Sequence, residues 1–125
     1  MRKKRILVVD DEASFTRLVK FNLEATGNYE VREENWGDRV LAAVKDFSPD
    51  LILLDIIMPG EDGGEVAAKL QAHPHWQRIP LVFLTAAVKK EEIGSSGGRI
   101  GGFAYLAKPV DMEELIHCIE RNVSA

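Results

Sequence analysis

Residues 51–60 read Leu-Ile-Leu-Leu-Asp-Ile-Ile-Met-Pro-Gly, a short apolar run that ends on a carboxylate and is broken by Pro59-Gly60. Four apolar residues in succession are too few for a helix. Their lack of alternation predicts a strand covered on both faces, as in a parallel sheet between helices. The same reading applies to Ile6–Val9, which ends on Asp10-Asp11, and to Leu81–Leu84, which ends on Thr85. Phe103–Leu106 is a further strand, followed by Lys108-Pro109. A fifth run, Tyr29–Glu33, is more polar and alternates weakly, as an edge strand does.

Helical spacing fills the gaps. Between Glu12 and Thr26, the residues Phe15, Leu18, Val19 and Leu23 recur at threes and fours, which predicts one buried face. Val40, Leu41, Val44 and Phe47 form a second stripe, and Val66, Ala67 and Leu70 a third, entered through Gly63-Gly64. The last helix carries Met112, Leu115, Ile116, Ile119 and Val123 on its stripe. Asp111 is placed to cap it, with Glu114 three residues on. A helix over Val88–Ile93 is weaker, because half of the ten glycines fall between Gly94 and Gly102 and glycine costs about 1 kcal/mol in a helix interior. A short, frayed helix and a mobile connection over 94–102 are expected. Strand and helix alternate throughout, which predicts a doubly wound α/β sheet with right-handed crossovers. Five parallel strands in the order 2-1-3-4-5 are the common arrangement.

Composition narrows the classes. The chain has 125 residues, 46% hydrophobic and 29% charged, enough for one packed domain spanning 1–125. A lone Cys118 excludes a disulfide framework and a multi-cysteine zinc site. No apolar stretch approaches the roughly 20 residues that span a bilayer. Basic Arg2–Arg5 is followed by only four apolar residues, so no signal peptide is read and a cytoplasmic location is expected. The formal charge of −4 argues against direct nucleic-acid binding, and Arg2–Arg5 reads as a solvated leader. His73 and His75 read as surface residues, Cys118 as lying off the apolar stripe of its helix, and Trp36 as part of the rim above the strand ends.

Sites in open α/β sheets lie beyond the carboxyl ends of the strands, where the strand order reverses. In the order 2-1-3-4-5 this reversal lies between the first and third strands, which end in Asp10-Asp11 and Asp55. Three carboxylates in one crevice repel at roughly 3 kcal/mol per pair, taking about 5 Å and an effective dielectric near 20. Such a cluster recruits a cation or raises a pKa. Few carboxylates, with room for water and a substrate phosphate, suit magnesium better than calcium. Thr85 and Lys108 would face the same crevice and could bind the oxygens of a phosphoryl group carried by Asp55.

These motifs together resemble the receiver domain of two-component response regulators: Ile-Leu-Val-Val-Asp-Asp-Glu at 6–12, Leu-Ile-Leu-Leu-Asp-Ile-Ile-Met-Pro-Gly at 51–60, Phe-Leu-Thr-Ala at 83–86 and Tyr-Leu-Ala-Lys-Pro at 105–109. The resemblance implies a flavodoxin-like three-layer sandwich. It implies that Asp55 accepts a phosphoryl group from a sensor histidine kinase or a histidine phosphotransfer protein. Magnesium, or manganese in its place, would be held by Asp10, Asp11, Asp55 and the backbone carbonyl of Ile57. Thr85 and Lys108 would bind the phosphoryl oxygens, Thr85 and Tyr105 would form the conformational switch, and the Lys108–Pro109 peptide would be cis. An output partner would dock on the face built from the family's fourth helix, fifth strand and fifth helix. The domain would be a monomer or a phosphorylation-promoted homodimer, with no membrane contact, and would be no enzyme beyond assisting its own phosphorylation and dephosphorylation. Ile57 and Ala87, two residues beyond Asp55 and Thr85, cannot orient an attacking water, so a long-lived phosphoryl group is expected.

Three other readings compete. A haloacid-dehalogenase-type magnesium phosphatase needs a second Asp where Ile57 stands. A flavodoxin needs a hydroxyl-rich phosphate loop where Asp10-Asp11 would repel the flavin phosphate. A degenerate receiver acting as a fixed scaffold would lack site residues that are all present here.

Overall fold

The computed structural model describes residues 2–86, 98–100 and 103–123. Five strands run parallel: β1 (Lys4–Val9), β2 (Tyr29–Glu34), β3 (Leu51–Asp55), β4 (Leu81–Thr85) and β6 (Phe103–Ala107). They lie in the order β2-β1-β3-β4-β6, which is the expected 2-1-3-4-5. A short β5 (Gly98–Ile100) adds an antiparallel edge strand beside β6, inside the glycine-rich connection expected to be mobile. The expected helix at 88–93 and the rest of that connection, apart from 98–100, lie outside the described residues, as does Ala87.

Helices α1 (Ala13–Ala25) and α4 (Met112–Asn122) cover one face of the sheet, and α2 (Val40–Phe47) and α3 (Gly63–Ala72) cover the other. The period-two pleat divides the strands between two cores. Ile6, Val8, Leu51, Leu53, Val82 and Leu84 pack with Val19 and Leu23 of α1 and Leu115 and Ile119 of α4. Leu7, Val9, Ile52, Leu54, Leu81 and Phe83 pack with Val40 and Val44 of α2 and Val66 and Leu70 of α3. Full burial of each such side chain stabilises the fold by about 1.5–3 kcal/mol, which suits β3 and β4, the two strands with no polar residue before their last position.

Helix faces differ from the expected stripes at three points. In α1 the polar Thr16 is buried while Leu18 is turned outward. Thr16 can lie inside because its hydroxyl donates to Ala13 O and to Glu33 Oε1. In α2, Ala43 takes the buried place expected of Leu41, which is only half-buried. In α4, Cys118 is buried beside Ile119, correcting its placement off the stripe. The basic leader is also more structural than expected. Arg2 pairs with Asp50, and Arg5 donates to Phe47 O, a carbonyl in the last turn of α2.

Asp111 caps α4, accepting from the amides of Glu113 and Glu114, and Asp62 caps α3 by accepting from Glu65. Gly63 opens α3 where no side chain fits: a Cβ there would lie 2.3 Å from the carbonyl oxygen of Asp55. Helix α3 is thereby seated against the backbone at the end of β3.

Candidate functional site

Strand register brings the chemically active residues together. Val9 is level with Leu54, Asp55 with Leu84 and Thr85 with Ala107. The residues just beyond, Asp10 and Lys108, therefore join Asp55 and Thr85 along one edge of the sheet. Its neighbouring strands are spaced about 4.8 Å apart. That edge is the carboxyl end of the strands, at the reversal between β1 and β3.

Asp10 is fully buried, Asp55 nearly so, and Asp11 is exposed. One oxygen from each of the three lies within 4.8 Å of the others, the sole such group of ligating side chains among the described residues. His73 and His75 belong to no such group, and His73 instead stacks on Trp76 at 3.8 Å. Lys108 enters from the opposite side. Its ammonium donates to Asp10 Oδ2, lies 3.7 Å from Asp55 Oδ2 and 4.0 Å from Glu12 Oε1. The ring of Phe15 lies beneath it at 4.8 Å. The Lys108–Pro109 peptide is cis, and the Lys108 amide donates to Thr85 O at 2.9 Å.

Burial, followed by the charge of Asp10, pushes the Asp55 carboxyl up to about 6; Lys108 and the Ile57 amide, which donates to it, pull in the other direction. Burial pulls the Lys108 ammonium down, but the hydrogen bond it donates to Asp10 and the charges of the neighbouring carboxylates outweigh it, so its pKa is raised. One ammonium therefore serves a cluster of three carboxylates, two of them out of water. An all-oxygen donor set with a charge deficit of this kind fits a hard divalent cation.

Asp10 is held at every polar atom. Its amide donates to Glu34 O, its carbonyl accepts from Asn35 Nδ2 at 2.8 Å, and its Oδ1 accepts from the Glu12 amide at 2.9 Å. Asn35 Nδ2 also donates to Thr16 Oγ1 at 3.1 Å. The sequence reading missed Asn35 and Thr16. A threonine in phase with Val19 and Leu23 was the available signal for the second, and no local signal existed for the first. Thr85 is buried. Tyr105 is half-buried on the α2–α3 side of the sheet, its ring 5.2 Å from that of Phe83. Trp36 and Ile57 are exposed on the rim, as expected for Trp36.

Comparison with known proteins gives the family. Residues 6–120 match the family model of the response regulator receiver domain, and so include every residue of the site. The chain belongs to the response regulator receiver family. It is 36% identical over 117 residues to the DNA-binding dual master transcriptional regulator RpaA of Synechocystis, covering 90% of this chain and 46% of that protein. It is 35% identical over 112 residues to the phosphate regulon transcriptional regulatory protein PhoB of Rhizobium meliloti, covering 90% and 48%. The receiver chain thus spans about half the length of the curated relatives it matches. Among solved structures, the chemotaxis protein CheY4 of Vibrio cholerae superimposes with a TM-score of 0.82 at 27% identity, over 98% of this chain and all of the other. The N-terminal domain of a response regulator receiver protein from Methanoculleus marisnigri gives 0.70 at 31%, over 97% of both. Receiver domains are signalling domains of two-component systems. Among the described residues, no helix is long and apolar enough to cross a membrane.

Proposed function

We propose that this receiver domain is a phosphorylation-operated switch with Asp55 as its phosphoacceptor. The observation that carries the reading is the Lys108 ammonium, bonded to buried Asp10 and 3.7 Å from the Asp55 carboxylate at the strand-order reversal. A carboxyl group displaced only to about 6 is mainly ionised near neutral pH and can act as a nucleophile. An oxygen of Asp55 attacks the phosphorus of a phosphohistidine. As the new oxygen–phosphorus bond forms, the phosphorus–nitrogen bond breaks and its electrons remain on the imidazole. Lys108 passes from Asp10 to a phosphoryl oxygen, and Thr85 donates its hydroxyl to another. Asp10, Asp11, Asp55 and the carbonyl of Ile57 would hold magnesium, with manganese as a substitute. Bound there, the ion neutralises charge developing on the phosphoryl oxygens.

The added charge then favours a second conformation of the domain, in which Thr85 moves toward the phosphoryl group and Tyr105 leaves its place beside Phe83 and turns inward. The donor is a sensor histidine kinase or a histidine phosphotransfer protein. The output partner docks on the face that includes β6 and α4, without direct nucleic-acid contact by this domain. The reading takes 1–125 as a single cytoplasmic domain, monomeric or dimerising on phosphorylation.

Intact mass after incubation with acetyl phosphate, with and without magnesium, tests it on the wild type and Asp55→Asn. A single phosphoryl adduct that requires magnesium and is absent from the variant is expected. No adduct on a folded protein that binds magnesium would overturn the reading in favour of a phosphorylation-independent scaffold.

A further inference from the structure

We propose that Phe15 is a positioning residue for Lys108: the face of its ring holds the ammonium in the crevice while that ammonium changes anionic partners. The inference rests on the phosphoacceptor reading of Asp55.

Lys108 is largely out of water, and the groups facing its ammonium are Asp10, Asp55, Glu12 and the Phe15 ring. The first three are carboxylates, and two of them belong to the cluster suited to a divalent cation. Each of those two contacts is lost or weakened when a cation or a phosphoryl group occupies the cluster. The ring differs. It lies 4.8 Å from the ammonium, within the range at which an aromatic quadrupole attracts a cation, and neither metal nor phosphate competes for it. Phe15 is fixed from behind by the core on the α1–α4 side of the sheet, and it sits on the first turn of α1, five residues beyond Asp10. The helix that follows the first carboxylates thus presents an uncharged partner to the lysine arriving from the far strand. While the Asp10 contact is given up, the ring keeps the ammonium in the crevice and within reach of the phosphoryl oxygens, so losing the ring lets the side chain stray and slows the transfer by misplacing it. Leucine would fill the space but offer no quadrupole.

Fluorinated phenylalanines at residue 15 separate electrostatics from shape. The 4-fluoro, 3,5-difluoro and 3,4,5-trifluoro analogues, introduced site-specifically into the full chain, weaken the quadrupole in steps and leave the ring in place. With acetyl phosphate at saturating magnesium, the rate of Asp55 phosphorylation is expected to fall stepwise, by about threefold to tenfold across the series. The urea midpoint should stay constant, Phe15→Leu should match the trifluoro analogue, and Phe15→Tyr should retain the wild-type rate. A ring-current displacement of the Lys108 Hε resonances, lost in Phe15→Leu, would report the contact itself. Rates that are flat across the series in a phosphorylatable protein, or that follow stability alone, would overturn the role of Phe15 and leave Asp55 untouched. A wild type that accepts no phosphoryl group would overturn the Asp55 reading and this one with it.

Discussion

Removing the charge of Asp55 should stabilise the cation-free protein, and chiefly at neutral pH. The carboxyl is displaced from its ordinary 3.8 to about 6, first by burial and then by Asp10. The folded state therefore binds its proton more tightly than the unfolded state does. Folding loses stability as pH rises between those two values, opposite to the behaviour of a salt-bridged carboxylate with a depressed pKa. The full displacement corresponds to about 3 kcal/mol. Nearly all of it is felt at pH 7.5, and only about 1 kcal/mol at pH 4.5, where the unfolded carboxyl is still largely ionised. Asp55→Asn keeps the shape and removes the charge, so urea denaturation in EDTA should show the variant gaining roughly 2 kcal/mol more at pH 7.5 than at pH 4.5. The comparison between the two pH values cancels any fixed cost of the amide. Saturating magnesium should narrow the gap by stabilising the wild type, because it binds the folded state selectively. A stability difference independent of pH would refute the claim that burial and Asp10 burden the Asp55 carboxylate.

Gly63→Ala should destabilise the fold by about 1–3 kcal/mol in urea, although alanine is the better helix former, because its Cβ would meet backbone atoms of Asp55 and Ile56 that have nowhere to move. Gly64→Ala is the control: its nearest neighbour is a carboxylate oxygen of exposed Asp62 at 3.3 Å, and it should be neutral or stabilising by up to about 1 kcal/mol. Asn35→Ala removes the donor shared by Asp10 O and Thr16 Oγ1 and should cost about 1–2 kcal/mol; calorimetric titration should also find magnesium bound more weakly, whereas unchanged affinity would count against a role in placing Asp10. Asp111→Ala, which removes the cap of α4, should cost about 1 kcal/mol and leave the rate of phosphorylation unchanged.

Much of the molecule was legible in the sequence because its information is local. Ile6–Val9 and Leu51–Leu54 are short branched apolar runs without alternation, each closed by a carboxylate, which suits a strand buried on both faces. The alternation with helical stripes then restricts the topology, and the topology alone places Asp10, Asp55, Thr85 and Lys108 along one edge. What tertiary structure decided is which partners those residues meet. Lys108 and Asp10 are 98 residues apart, and their bond exists only because β1 and β6 end on the same side of the sheet. Thr16 could turn inward in place of Leu18 because Glu33 and Asn35 of a neighbouring segment satisfy its hydroxyl, a condition invisible in the periodicity of α1. Gly98–Ile100 forms an edge strand because β6 offers an open ladder, not because a segment opening on Gly98 favours extension. Hydropathy and spacing describe each segment singly. The pairing of Asn35 with Asp10, and of Phe15 with Lys108, depends on two segments at once and on how closely their backbones approach.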